Sequence, residues 1–287
     1  MAVRKNIFRL LAVLRLVLGV LVLLALTATF LDFTGTVAGW FPWLRDIQFM
    51  PAVLAGSAVM LALLLVVTLL VGRVYCSVLC PLGVFQDLVR LVTFGRWRDL
   101  RFKAKPGGAA VSAVQGWTRL GILFGFAAGG FLGLHFTWLD PYAIYARFVS
   151  FCLTPLVKAC RHADAIAAWA DGAEGSFTRV LEVVVPASGF ALAAASVLAF
   201  VAALAAWRGR TWCNTVCPVG TVLGALAKFA RFRPRIVESS CVSCRLCERI
   251  CRAHCIHVDA KAIDHTQCVS CLDCSAVCPK GAITWKR

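Results

Sequence analysis

The sequence predicts a mainly α-helical membrane protein: a four-helix bundle built as a duplicated two-helix unit, followed by a small cysteine-rich α+β domain. Three observations predict it. Hydrophobic residues make up 60% of the 287-residue chain and charged ones only 15%, against roughly half and a quarter in a soluble domain. Four apolar stretches approach or reach the length of a membrane span. And "GRVYCSVLCPLG" at residues 72–83 recurs as "GRTWCNTVCPVG" at residues 209–220, each time after such a stretch.

The spans are read at about 7–31, 52–71, 120–139 and 183–207, since roughly 20 apolar residues cross a bilayer core. In the first, only Leu16–Leu31 is free of charge, and Arg9 and Arg15 are expected to snorkel to the headgroups. Its apolar run is too long for a signal peptide and no A-x-A cleavage site follows, so an uncleaved helix is expected.

Lys and Arg placement sets the orientation. The N-terminus, the segment from Arg73 to Arg119 and the stretch from Arg208 to Arg235 are strongly basic, whereas the other two loops are balanced or acidic. Both termini are therefore expected in the cytoplasm, with the chain in a bacterial inner membrane. That topology, facing anionic headgroups, accounts for the net charge of +16. No separate basic fold is left to bind nucleic acid.

Fifteen cysteines are present, and this topology puts all but Cys152 and Cys160 on the reducing cytoplasmic side, where metal or redox chemistry is expected rather than disulfides. The tail reads "CVSCRLCERICRAHCI" from Cys241 and "CVSCLDCSAVCPKGAI" from Cys268. Each is a C-x2-C-x2-C-x3-C run, the spacing of a two-cluster bacterial ferredoxin, in which three thiolates hold one cluster and the fourth reaches to the other. One [4Fe–4S] cluster is thus expected on Cys241, Cys244, Cys247 and Cys278, and the second on Cys268, Cys271, Cys274 and Cys251. Zinc ribbons also use C-x2-C pairs, but rarely this run. The first run departs from the second at Arg252, where the second has Pro279, and at Cys255, where it has Ala282. Cys255 is read as a small buried residue beside a cluster. The domains expected are a membrane part, 1–236, and a ferredoxin part, 237–287.

"CSVLCP" at Cys76–Pro81 resembles the closing half of a ferredoxin run, "CSAVCP" at Cys274–Pro279. Residues i and i+4 share a helix face, so Cys76 and Cys80 point the same way, and Pro81 suits the first turn of a new helix. That helix is read as lying on the membrane surface, with Phe85, Leu88, Val89 and Val92 opposite Gln86, Asp87 and Arg90. The second copy sets Val222, Leu226 and Phe229 opposite Lys228 and Arg231. Two parallel repeats related by an axis along the membrane normal would bring Cys76, Cys80, Cys213 and Cys217 together. Three readings of that quartet stay open: a metal or further cluster site, a dithiol–disulfide couple, and an inert structural turn.

From the second span to the C-terminus the chain resembles the NapH/NosR/MauN-type membrane polyferredoxins, which pair C-x3-C-P motifs in the membrane with two [4Fe–4S] clusters after the last span. The resemblance implies electron transfer, commonly tied to quinol oxidation and reductase systems. The large flavin-binding domain of the NosR branch is not among these residues.

The remaining residues carry weaker signals. His135 is the only histidine in a span, so no haem is expected, and no nucleotide motif appears. Cys152 and Cys160 are read as unpaired thiols. Trp40, Phe41, Trp43, Trp138, Tyr142 and Tyr145 are read as an interfacial aromatic belt, or as the wall of a quinone pocket with Asp32 and Asp140 accepting quinol protons. The function expected is electron transfer between a membrane donor, such as a quinol, and a redox partner protein. The alternative is an assembly factor that reduces a metal or disulfide on another protein.

Overall fold

The computed structural model describes residues 2–32, 39–94, 109–131, 139–161 and 188–286. The first half runs α1 (Ala2–Phe30), α2 (Pro42–Asp46), α3 (Phe49–Leu54), α4 (Ala58–Val71), the one-turn α5 (Tyr75–Val78) and α6 (Pro81–Phe94). The second runs α7 (Ala109–Phe131), α8 (Pro141–Phe148), a π-helical turn (Val149–Leu153), α9 (Thr154–Arg161), α10 (Ser188–Arg208), α11 (Thr211–Thr215) and α12 (Pro218–Ala227). Among the described residues, two helices are long and apolar enough to cross a membrane, Lys5–Phe30 and Gly189–Arg208.

The expected second span, 52–71, is not one helix. Helix α3 stops at Gly56, whose φ of +64° suits glycine alone without strain. The Ser57 amide bonds Ala52 O and the Gly56 amide bonds Val53 O, the pairing of a Schellman cap, and α4 restarts behind it. Hydropathy missed this stop because glycine and serine barely interrupt an apolar run. Residues 120–131 of the third expected span, 120–139, belong to a helix that starts earlier, at Ala109; residues 132–138, with His135 and Trp138, and residues 183–187 of the fourth span lie outside the described residues.

Packing crosses between the halves. Helix α1 packs on α5 and α6, and α7 packs on α11 and α12, while α6 of the first half lies against α10 of the second and α12 lies against α4. Each half thus donates its post-cysteine helix to the other half's last long helix.

This exchange turns α6 over relative to the sequence reading. Gln86 and Asp87 are buried and Val92 is 84% exposed, because the polar face carries the partner of three buried guanidiniums, described below. In the second copy Leu223, Gly224 and Ala227 form the buried face of α12, and Phe229 is exposed. Arg15 is likewise corrected: it is buried and paired with Asp87 at 3.0 Å rather than snorkelling. Helix α8, expected in an outer loop, packs instead on α6 and α10. Its Ile144 and Tyr145 are buried and Tyr145 Oη meets Thr27 Oγ1 at 2.7 Å.

The tail is a small α+β unit. Strand β1 (Arg233–Ile236) pairs antiparallel with the last strand, β4 (Ile283–Lys286). Between them lie α13 (Leu246–Ile250), the two-residue strands β2 (Ile256–His257) and β3 (Ala262–Ile263), and α14 (Asp273–Val277). The unit is not loosely tethered. Arg231 and Phe232 amides bond the carbonyls of Leu69 and Leu70 at the end of α4, and α14 packs on α1. One buried cluster joins Cys76, Cys80 and Cys217 to Cys251, Cys255 and Cys274.

Candidate metal centres

Each repeated motif builds the same turn. A glycine with positive φ, Gly72 (+85°) or Gly209 (+64°), ends the long helix. The second cysteine then caps the next helix. Cys217 is the N-cap of α12 with Pro218 behind it, and the Gly220 amide donates to Cys217 Sγ at 3.3 Å. A helix N-terminus of this kind favours a thiolate. The glycine two residues after each proline is forced by a carbonyl: a Cβ on Gly83 would lie 2.2 Å from Cys76 O, and one on Gly220 equally close to Cys213 O.

Cys76, Cys80, Cys213 and Cys217 are all buried free thiols, and the structure brings the two pairs together. Burial pushes the Cys80 thiol up, and its neighbours Cys213 and Cys76 push it further. Cys217 is raised in the same way, by burial and then by Cys213 and Cys80. Burial, opposed by Arg210, takes Cys213 to about 11, and its sulfur accepts from Gln86 Nε2 at 3.4 Å.

The arginine of each motif braces the opposite half. Arg210 Nη1 donates to Cys76 O at 2.5 Å, and its Nε and Nη2 grip Asp87 at 2.9 and 2.7 Å. Arg73 reaches Gly220 O at 3.0 Å and Asn214 Oδ1 at 2.6 Å, then continues to the carbonyls of Gln267 and Cys268 in the tail. Asp87 also pairs with Arg252 at 3.1 Å, and Arg252 with Asp273 at 2.6 Å. A single carboxylate thus ties α1, the second turn and the tail together. Burial alone would push the Asp87 carboxyl up, but Arg210, Arg252 and Arg15 outweigh it and hold it well below the usual carboxylate range.

In the tail, two recesses separate the eight cysteines into quartets. One, of about 380 Å³ including its solvent-filled mouth, is lined by Cys241, Cys244, Cys247 and Cys278 with Val258 and Ile283. The other, of about 360 Å³, is lined by Cys251, Cys268, Cys271 and Cys274, together with Cys255. The loops around them repeat residue by residue: Ser243 and Ser270 have φ of +52°, and Arg245 and Leu272 have φ of +58° and +68°. Non-glycine residues seldom adopt this conformation, and its recurrence at the same two positions curls both loops around their cysteines. Cys255 Sγ lies 3.5 Å from Cys251 Sγ and is buried. Among the described residues, no three His, Cys, Asp or Glu side chains stand close enough to share a single metal ion.

Both halves match the 4Fe-4S binding domain family. The two matched stretches are residues 53–104 and 190–236, so each contains one cysteine turn and its flanking helices. Over 244 residues the chain is 22% identical to the "Putative electron transport protein YccM" of Escherichia coli, covering 79% of this chain and 57% of that protein. Over 74 residues it is 39% identical to the "Uncharacterized protein MJ0749" of Methanocaldococcus jannaschii, 26% of this chain and 29% of that one. The chain thus spans less than two thirds of either relative. No solved structure matches it.

The sequence reading missed the Asp87 node. Two signals pointed to it: the duplicated Gly-Arg ahead of each cysteine turn, and Arg252 where the second tail run has proline.

Asp140 is a second buried acid. Its Oδ2 caps α8 through the Ala143 amide at 2.8 Å, while Oδ1 has no hydrogen-bond partner among the described residues. Burial raises its carboxyl to about 6, against the opposing pull of the Ala143 and Tyr142 amides and Arg147. A raised carboxylate favours the folded state while protonated. That contribution is whole below about pH 4 and is lost as pH rises through about 6. Asp140→Asn keeps the cap and removes the ionisation. It should melt higher than wild type at pH 7.5, by on the order of 2 kcal/mol, with the advantage shrinking towards pH 5. An advantage independent of pH would show that ionisation is not the cause.

Proposed function

We propose that this chain is a membrane-bound iron–sulfur electron-transfer protein of the NapH/NosR/MauN type, passing single electrons between a membrane donor and a partner oxidoreductase. Two [4Fe–4S] clusters would sit in the tail, one on Cys241, Cys244, Cys247 and Cys278, the other on Cys268, Cys271, Cys274 and Cys251. The observation that carries this reading is the crossed lining of the two recesses, where the last cysteine of each run joins the first three of the other. Four thiols in a largely apolar recess are the donor set that an iron–sulfur cluster takes. When bound, such clusters supply one-electron carriers.

The chain's own residues fit that task. Val258 and Ile283 close the first recess with apolar side chains, and the Ala282 amide donates to Cys278 Sγ at 3.3 Å, the kind of bond that tunes a cluster's potential. Cys244 is exposed, so the first quartet faces a soluble partner. The second quartet adjoins the membrane part, where Arg73 Nε donates to Cys268 O at 3.3 Å. The printed name of the E. coli relative, an electron transport protein, agrees with this use. The membrane donor we favour is a quinol, for which Asp140, buried with one oxygen unpartnered among the described residues, would be the base that takes a hydroxyl proton. The membrane part would be a four-helix bundle in a bacterial inner membrane, with both termini in the cytoplasm.

Anaerobic purification with iron and sulfide analysis tests the reading. Cys244→Ser and Cys271→Ser should each lose about four irons, and a quinol should reduce the clusters of the wild-type chain. Zinc in place of iron would overturn the cluster assignment, and clusters inert to every quinol would overturn the donor.

A further inference from the structure

We infer that Cys76, Cys80, Cys213 and Cys217 bind a third [4Fe–4S] cluster, shared between the two halves of the membrane part. The inference goes beyond the two tail clusters and does not rest on them.

The first support is arithmetic of ligands. Each stretch that matches the 4Fe-4S binding domain family contains two cysteines only, Cys76 and Cys80 in one, Cys213 and Cys217 in the other. A four-iron cluster takes four thiolates. Neither half can hold one alone, and with α6 and α12 exchanged between halves, Cys76, Cys80 and Cys217 share one buried cluster and Gln86 of α6 reaches Cys213 at 3.4 Å.

Charge is the second. Arg15, Arg73, Arg210 and Arg252 are buried around the turns and the adjoining face of the tail, and the carboxylates paired with them are Asp87 and Asp273. Four guanidiniums against two carboxylates leave an excess of positive charge in the interior. Arg73 concentrates the problem. It is 0% exposed, and its acceptors are three carbonyls and an amide oxygen; among the described residues it forms no ion pair. A buried cation without an anion is costly. The tail quartet that contains Cys268 lies against Arg73 through the Cys268 carbonyl and would offset part of this charge, whereas neutral thiols or a disulfide at the turns would add nothing to the balance. A cluster on four thiolates there carries net negative charge and balances the rest.

The third is the hydrogen-bond donors aimed at sulfur. Gln86 Nε2 points at Cys213 Sγ and the Gly220 amide at Cys217 Sγ. Such donors stabilise cluster thiolates and tune their potential; the Gly220 bond also caps α12, whereas the Gln86 bond to Cys213 serves no helix cap. A single zinc ion would need its ligands within one coordination shell, whereas no three such side chains among the described residues stand that close.

The test uses the full-length chain purified anaerobically. Wild type should contain about twelve irons and twelve sulfides, and Mössbauer and EPR spectra should resolve three four-iron centres. Cys76→Ser/Cys213→Ser should fall to about eight irons with both tail signals intact. Because the wild-type count needs no variant, a misfolded double variant does not obscure the answer. Arg73→Gln should keep its iron while the third centre moves to lower potential in an EPR-monitored titration, since a nearby cation favours the reduced, more negative cluster. About eight irons in wild type, none of them lost in Cys76→Ser/Cys213→Ser, would overturn the inference, as would a loss of only about two irons in that variant, which marks a two-iron centre, or stoichiometric zinc. Failure of the tail assignment reads differently: Cys244→Ser and Cys271→Ser would then lose no iron, whatever the turn variant does.

Discussion

Asp87→Asn is expected to cost on the order of 3–5 kcal/mol, the usual result of removing one partner from a buried ionic network. The substitution keeps the shape and removes the charge. Arg210 then loses its bidentate carboxylate, Arg15 its ion pair and Arg252 one of two. Arg15 already has Nε and Nη2 without partners, so no reserve of acceptors remains. Because Arg15 comes from α1, Arg210 from the second turn and Arg252 from the tail, the damage should spread across all three. The variant should melt well below wild type in detergent, and protease should cut its tail sooner. The exposed pair Arg45–Asp46, at 3.5 Å, gives the contrast: Asp46→Asn should change stability by less than about 1 kcal/mol. Acid should act in the same sense as Asp87→Asn, but late. A carboxyl held low contributes its stability above the unfolded value and loses it only as pH falls through the folded one, so the node should survive well below pH 4. Equal melting of Asp87→Asn and Asp46→Asn would mean that the network adds nothing.

How much of this was legible follows from which interactions are local. The cysteine turns were readable in part, because the repeated cysteine pair and the proline of the next helix's first turn lie within a dozen residues; the positive-φ glycine and the capping role of Cys217 came only with the structure. The spacing of the tail runs likewise set out the quartets that the two recesses now line. Contacts between distant segments were not readable. Amphipathicity locates the polar face of α6 at Gln86 and Asp87, but it cannot tell water from three guanidiniums as the partner of that face. Hydropathy counts Ala52–Val71 as one run, because the Gly56 stop depends on a backbone dihedral rather than on polarity. The exchange of α6 and α12 between halves was hidden for a related reason. A repeat in sequence states that two units are alike, not which unit each helix packs against.

Gly220→Ala should be among the most damaging single-methyl additions in the chain. The new Cβ would lie 2.2 Å from Cys213 O and 3.3 Å from Cys213 C. Both are backbone atoms of the turn itself, so no side chain can swing aside. Relief requires α12 to move away from α11, which lengthens the Gly220 N–H bond to Cys217 Sγ, now 3.3 Å, and disturbs the Gly220 carbonyl that holds Arg73 at 3.0 Å. Overpacking typically costs about 1–3 kcal/mol, and here the carbonyl's loss adds to it. Gly83→Ala should behave the same way, since its Cβ meets Cys76 O at 2.2 Å. Gly121→Ala in α7 is the control. No atom of the described residues lies within 4 Å of its Cβ, and alanine in a helix interior is favoured over glycine by roughly 0.5–1 kcal/mol, so this variant should melt slightly above wild type. The opposite signs separate a steric demand from a general effect of mutating glycine. If Gly83→Ala and Gly220→Ala melted with Gly121→Ala, the close approach of carbonyl and glycine in both turns would be wrong, and the reason for the glycine in C-P-x-G would have to be sought elsewhere.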